Sequence, residues 1–335
     1  MNSPAVEVLT FGEAMLSLQT EGPLGAGGSA RTTVAGAEFN VAVGVARLGH
    51  RVSWAGRTGR DEPGRLILRT LRGEGVVTSH ATTDPQAPTG AMLRERRVAD
   101  LARVHYWRSR SAASRQRPED LVPALEAGAR ILHLTGITCA LGDGPLAAVR
   151  AAAAYAAEHG WTVTLDVNHR ARLWSEEAAT TALRPLLPYV DVVIASDDEL
   201  PLLSAASGES PDGGEADLIA ELFGAGIGEV VVKRGADGAD LHLPGAAPAH
   251  AAARGVPVAD TVGAGDAFCA GYLSGMLDTL GPAARLHRAT TTAAFAVASN
   301  GDWEGLPHRD ELALLDAPPR QCRPLILPER RRAPR

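Results

Sequence analysis

The segment Asp260–Phe268, DTVGAGDAF, concentrates more usable chemistry than any other stretch of the chain. Three small residues, Gly263, Ala264 and Gly265, precede an apolar-periodic run, Ala267–Leu280, that reads as a helix. N–H groups at a helix N-terminus have no intrahelical partner and attract anions. Glycines let an anion come close, and a carboxylate at Asp266 is favoured by the helix dipole. A Gly-rich helix cap with no ligand would read the same way, so the surroundings must decide. Val230–Gly238, VVVKRGADG, is a buried-strand pattern running into a Gly-bounded turn. It contains Lys233, the one lysine among 33 basic side chains. Compositional bias toward arginine explains that rarity; so would a position that needs a compact ammonium a guanidinium cannot replace.

These residues need a scaffold that gathers them. The sequence predicts strands at Val6–Thr10, Arg51–Ala55, Arg130–Leu134, Trp161–Asp166, Val190–Ala195 and Glu229–Lys233. Helical patterns fall between them, at Asn40–Leu48, Gly64–Arg72, Pro145–Glu158, Glu177–Leu187 and Asp217–Phe223. Such alternation implies an α/β fold with a mostly parallel sheet covered on both faces. Right-handed crossovers align the strand C-termini along one edge, where open sheets bind ligands. Leu16–Val34 and Pro88–Trp107 depart from the alternation, as two surface hairpins or as antiparallel strands forming a small lid over that edge. Ser207–Glu215 reads as a loop. One domain over residues 1–316 is expected, with lid segments near 14–36 and 86–110 and a loose Pro- and Arg-rich tail over 317–335.

Composition narrows the function classes. The 335 residues are 45% hydrophobic, with a formal charge of −6, which suits a folded chain and argues against general nucleic-acid binding. No apolar run approaches a membrane span, and no secretory signal is evident. Three widely spaced cysteines suit a reducing compartment, so a cytoplasmic location is expected. The ten histidines show no zinc spacing. Gly142–Ala147, GDGPLA, fits a dinucleotide fingerprint, but lies about seven residues past its strand, too far for the tight turn that fingerprint requires.

DTVGAGDAF preceded by a strand ending in KRGADG resembles the signature of ribokinase-like (PfkB) sugar kinases. Gly36–Asn40 (GAEFN), Ala46–Gly49 (ARLG) and Gly56–Asp61 (GRTGRD) extend the likeness over roughly residues 5 to 316. Within the family, His133–Ile137 (HLTGI), Leu165–Trp174 (LDVNHRARLW) and Tyr106–Ser114 (YWRSRSAAS) are most similar to the branch acting on 2-keto-3-deoxygluconate. The resemblance implies a three-layer α/β/α fold with a β lid, ATP and Mg2+ as reaction partners, and transfer of a γ-phosphoryl group to a terminal sugar hydroxyl. A homodimer paired through the lid is also implied.

The resemblance assigns roles by position. Asp266 would be the general base, and the N–H groups of Gly263, Ala264 and Gly265 would stabilise charge on the transferring oxygens. Asn168, Ser196 and the turn Lys233, Arg234, Gly235, Ala236, Asp237 and Gly238 would line the nucleotide site. Glu199, in Ser196–Glu199 (SDDE), would organise Mg2+ through water, although Ser196 replaces the family's Asn and the same residues would make an ordinary helix cap. The sugar would meet Gly36, Ala37, Glu38, Phe39, Asn40, Tyr106, Trp107, Arg108, Arg170, Asp266 and Asp302. Arg108 and Arg170 would grip a carboxylate that a neutral sugar lacks. Arg108 could equally be a solvated lid arginine, and Asp302 a solvated loop residue. Met92 stands where relatives often carry a substrate-contacting tyrosine. Asp260 and Thr261 would help hold a monovalent cation such as K+. A fructokinase-like neutral-sugar kinase and a sugar-acid sensor without turnover are the alternatives.

Overall fold

A computed structural model describes residues 5–98, 101–204 and 214–316. The predicted tail over 317–335 and most of the predicted 207–215 loop lie outside the described residues. The chain begins with β1 (Val8–Thr10), β2 (Met15–Thr20), β3 (Arg31–Ala35), α1 (Ala37–Arg47), β4 (Val52–Trp54), β5 (Arg57–Gly59) and α2 (Glu62–Gly73). It continues through β6 (Thr82–Asp84), β7 (Ala91–Val98), β8 (Leu101–Trp107), α3 (Pro118–Ala127), β9 (Ile131–Thr135), α4 (Gly136–Cys139), α5 (Asp143–Glu158) and β10 (Thr162–Asp166). The remainder is α6 (Glu176–Leu183), β11 (Val192–Ser196), α7 (Glu215–Gly224), β12 (Glu229–Lys233), β13 (Ala239–His242), β14 (Ala249–Ala251), α8 (Ala264–Leu277) and α9 (Pro282–Val297).

The main sheet has the order β14-β13-β12-β11-β10-β9-β1-β4. Its run from β12 to β4 is parallel, and β13 and β14 close one edge antiparallel. The parallel strands read as near-continuous apolar segments because helices cover both faces. One cluster packs α3, α5, α6 and α7 against one face; the other packs α1, α2, α8 and α9 against the opposite face around buried Trp54, Phe39 and Tyr272.

Each predicted strand of this sheet is present to within two residues. The helix predicted over Glu177–Leu187 ends at Leu183 and continues as a 3-10 turn, Arg184–Tyr189. Pro185 and Pro188 lack the N–H groups an α-helix would need there. The β13–β14 hairpin was not evident from sequence.

The two aberrant stretches form one small separate sheet, called the lid below. Its strand order is β3-β2-β7-β8, with β2–β3 and β7–β8 antiparallel as expected. The two hairpins join through β2 and β7, which run parallel. Met15, Ala35 and Met92 form the lid's own small cluster, so Met92 is packed inside it.

Candidate functional site

The C-terminal ends of β9, β10, β11 and β12 and the N-terminus of α8 meet beneath the lid. Gly263 is the N-cap of α8, with φ 75°. A Cβ there would also lie 2.0 Å from the Asp302 carbonyl oxygen, so both backbone conformation and packing demand glycine. The first intrahelical bond is from the Ala267 N–H to the Gly263 carbonyl, 2.8 Å, which leaves the Gly265 and Asp266 N–H groups without helical partners.

Asp266 is buried in that first turn. Its Oδ2 accepts from Asn40 Nδ2 at 2.7 Å, and its Oδ1 from Asn168 Nδ2 at 3.3 Å. Burial pushes the Asp266 carboxyl above the usual carboxylate range, while the Asn40 bond and the Arg170 charge pull it back. A carboxylate shifted upward is a stronger proton acceptor at neutral pH.

Asn168 sits just past β10 with φ 40°, a left-handed conformation asparagine tolerates. Its amide also reaches Asp166 Oδ2 at 3.2 Å. Asp166 Oδ1 accepts from Lys233 Nζ at 2.7 Å, and the same ammonium lies 3.8 Å from Glu199 Oε2. Burial, the largest single influence on Lys233, works to deprotonate it, but Asp166 leads the neighbours that together hold its pKa above the ordinary lysine value. A Cβ at Gly265 would lie 4.0 Å from Lys233 Nζ, so the ammonium faces the Gly-rich turn. Asp166 is a site residue the sequence reading missed; its place at the end of β10 on the ligand edge was the available signal.

Glu199 is held by the backbone: its Oε1 accepts from the His169 N–H at 2.7 Å, and its Oε2 from the Ser196 N–H at 2.8 Å. Ser196 Oγ donates to Asp198 Oδ1. Among the described residues, no cluster of three or more His, Cys, Asp or Glu side chains could cage a metal. Each oxygen of Asp166 and Glu199 already accepts a hydrogen bond, so these carboxylates suit a Mg2+ held through its own water rather than one bound to them directly.

The Lys233–Gly238 turn exposes Gly235, Ala236 and Asp237. Arg234 points elsewhere, paired with Glu215 and Asp240. Gly238 is required by packing, since a Cβ would lie 2.0 Å from the Ala251 carbonyl oxygen.

On the opposite side, the 36–40 segment divides. A Cβ at Gly36 would lie 2.4 Å from the Glu13 carbonyl oxygen. Ala37 and Phe39 are buried, and Phe39 stacks edge-on against Trp303. Glu38 accepts from Thr135 and Thr138, and burial pushes its pKa up to about 7. Asn40 alone of the five brings its side chain to Asp266. Asp302 is buried with Oδ2 unpartnered; burial, followed by the Glu304 charge, pushes its pKa up to about 7.

Arg108 Nη2 lies 2.5 Å from Oε2 of the buried Glu13, and the guanidinium stacks over Tyr106 at 5.7 Å. Its Nε is buried without a partner. Tyr106 and Trp107 are largely exposed. The Arg170 side chain is exposed, acts electrostatically on Asp266 and has no ion pair among the described residues. Asp260 is paired with Arg94 of the lid.

The whole constellation is a buried carboxylate, a Gly-capped helix start with N–H groups free of helical partners, and a facing ammonium, an arrangement suited to phosphoryl transfer. No described helix is long and apolar enough to cross a membrane.

Residues 6–309 match the pfkB family of carbohydrate kinases. The chain is 35% identical to a 2-dehydro-3-deoxygluconokinase of Thermoproteus tenax, over 90% of this chain and 91% of that one. It is 32% identical to a 2-dehydro-3-deoxygalactonokinase of Haloferax volcanii, over 88% and 92% of the respective chains. The crystal structure of a 2-dehydro-3-deoxygluconokinase from Thermotoga maritima superposes with a TM-score of 0.82 at 28% identity, covering 93% of this chain and 100% of that one. With this fold, this helix start and these relatives, the chain belongs to the pfkB family of carbohydrate kinases, and is an ATP-dependent sugar kinase.

Proposed function

We propose that the protein transfers the γ-phosphoryl group of ATP to the terminal hydroxyl of 2-keto-3-deoxygluconate. The observation that carries the reading is the buried Asp266, fixed by Asn40 and Asn168 in the first turn of a Gly-capped helix. Asp266 would take the hydroxyl proton as the sugar oxygen bonds to phosphorus and the bond to ADP breaks. The Gly265 and Asp266 N–H groups and Lys233 would hold the phosphoryl oxygens, with Mg2+ carried in on ATP. The exposed turn 235–237 would border the nucleotide. Asn40 Oδ1, Asp302 Oδ2 and Arg108 Nε are buried polar atoms without partners, suited to sugar hydroxyls and oxygens. Arg170 would meet the substrate carboxylate, since its charge is not neutralised within the described chain.

One observation favours a neutral ketose instead: the Arg108 charge is already matched by buried Glu13. The two readings separate in a coupled assay of ADP release with 2-keto-3-deoxygluconate, 2-keto-3-deoxygalactonate, fructose and ribose. The acid reading expects the two sugar acids to dominate. Preference for fructose or ribose overturns it while leaving the base assignment intact.

A further inference from the structure

Several lid side chains reach the body beside the Gly-rich turn. Arg31 and Thr33 of β3 donate to Glu304 at 2.9 and 2.7 Å, and Arg96 of β7 donates to Asn300 Oδ1 at 2.9 Å. The most enclosed contact is Arg94 of β7 with Asp260, where the side chains are 17% and 5% exposed. The guanidinium takes both carboxylate oxygens, with Nη2 to Oδ1 at 2.8 Å and Nη1 to Oδ2.

Asp260 lies at the root of the turn. Its Oδ1 also accepts from the Val262 N–H at 3.1 Å, and its own N–H donates to the Val297 carbonyl at 3.2 Å. It therefore ties the end of α9 to the three residues that lead into the N-cap Gly263. Family resemblance implies a monovalent cation at this carboxylate. The residues present do not fit one: each oxygen already carries a donor, and a fixed positive charge stands against both.

We infer that Arg94 takes the place of a monovalent cation at Asp260, so that lid closure itself supplies the charge that sets the phosphate-binding turn. This rests on the turn being the phosphate site of the proposed kinase. A planar bidentate guanidinium neutralises Asp260 and, unlike a free ion, arrives only with the lid strand that carries it. Arg94 is thus a positioning residue. A cavity of about 690 Å³ beside the pair, lined in part by Arg31, Arg96, Thr261 and Asn300, gives small cations a route to Asp260 if the arginine is removed.

The test compares wild type, Arg94→Ala and Arg94→Gln in matched KCl, NaCl and tetramethylammonium chloride, with and without added guanidinium. ADP release with the best sugar and ADP affinity by calorimetry are both read. Wild type is expected to run at the same rate in all three salts. The variants should lose roughly 10- to 100-fold in kcat in tetramethylammonium, the cost of one charge-assisted pair, and regain part of it with K+ or guanidinium. A merely structural arginine would not create a cation requirement. Strong K+ activation of wild type, unimpaired variants, or a loss that no cation restores would each overturn the inference. If no sugar is turned over, the substrate reading fails on its own, and the salt dependence of ADP affinity still decides the role of Arg94.

Discussion

On the side of the cleft assigned to the nucleotide, Lys233, Asp166, Asn168 and Asp266 form an unbroken run of polar contacts between 2.7 and 3.3 Å. On the side assigned to the sugar, Asn40 Oδ1, Arg108 Nε and Asp302 Oδ2 are buried with no hydrogen-bond partner among the described residues. An unsatisfied buried polar group costs about 1–3 kcal/mol, so these three atoms are the ones a sugar hydroxyl or oxygen would gain most by meeting. Under the proposed reading, the phosphate side is already paired in the free protein and the sugar side is completed by its ligand.

That contrast can be broken at several points. Asp266→Asn keeps the shape of the completed half but removes its proton acceptor. Turnover should fall by about 10²- to 10⁴-fold with ADP affinity nearly unchanged; near-normal turnover would take Asp266 out of the base role.

Asp302→Asn should sharpen the contrast in the opposite sense, trading activity for stability. Asp302 has a folded-state pKa of about 7, above the 3.8 of a free carboxyl, so the folded protein retains a proton the unfolded chain has released. Stability from this group is full below about pH 4 and is lost as pH rises through 7. An amide does not titrate, so the variant should gain roughly 2–4 kcal/mol over wild type at pH 8 and nothing at pH 4. Urea midpoints at the two pH values measure the gain, and an equal difference at both would show that burial of Asp302 is not the cause.

The smallest effect is expected at Arg170. Arg170→Ala should raise KM for a sugar acid by roughly 10- to 100-fold, the value of one charged hydrogen-bonding partner, and leave KM for a neutral sugar alone. Equal changes for both substrates would assign Arg170 to general architecture.

The parallel strands and the start of α8 were readable because each is a local pattern: a short apolar run, or small residues ahead of an apolar period. Local patterns also gave the two lid hairpins. Contacts between distant segments left no such trace. Glu13 and Arg108 are 95 positions apart in the numbering, and nothing in either neighbourhood marks them as partners. Nor does the period of β2 or β7 reveal that the two run parallel. Segment 36–40 was read as a unit from its likeness to relatives, yet helical geometry turns successive side chains about 100° apart, so Phe39 enters the core while Asn40 enters the site. Lys233 was conspicuous from composition alone, and the reason lies in a partner, Asp166, 67 residues away.

The scarcity of lysine has a consequence for behaviour in alkaline solution. Every other basic side chain among the 33 is a guanidinium, which keeps its proton beyond about pH 12. The outer positive charge of the protein is therefore constant over the range in which ordinary proteins shed their ammonium protons. The single ammonium that could respond sits against Asp166, with its proton held more tightly than usual. The one side-chain ammonium of the protein therefore lies at the candidate site, where its carboxylate partner makes its charge as constant as that of the guanidinium groups.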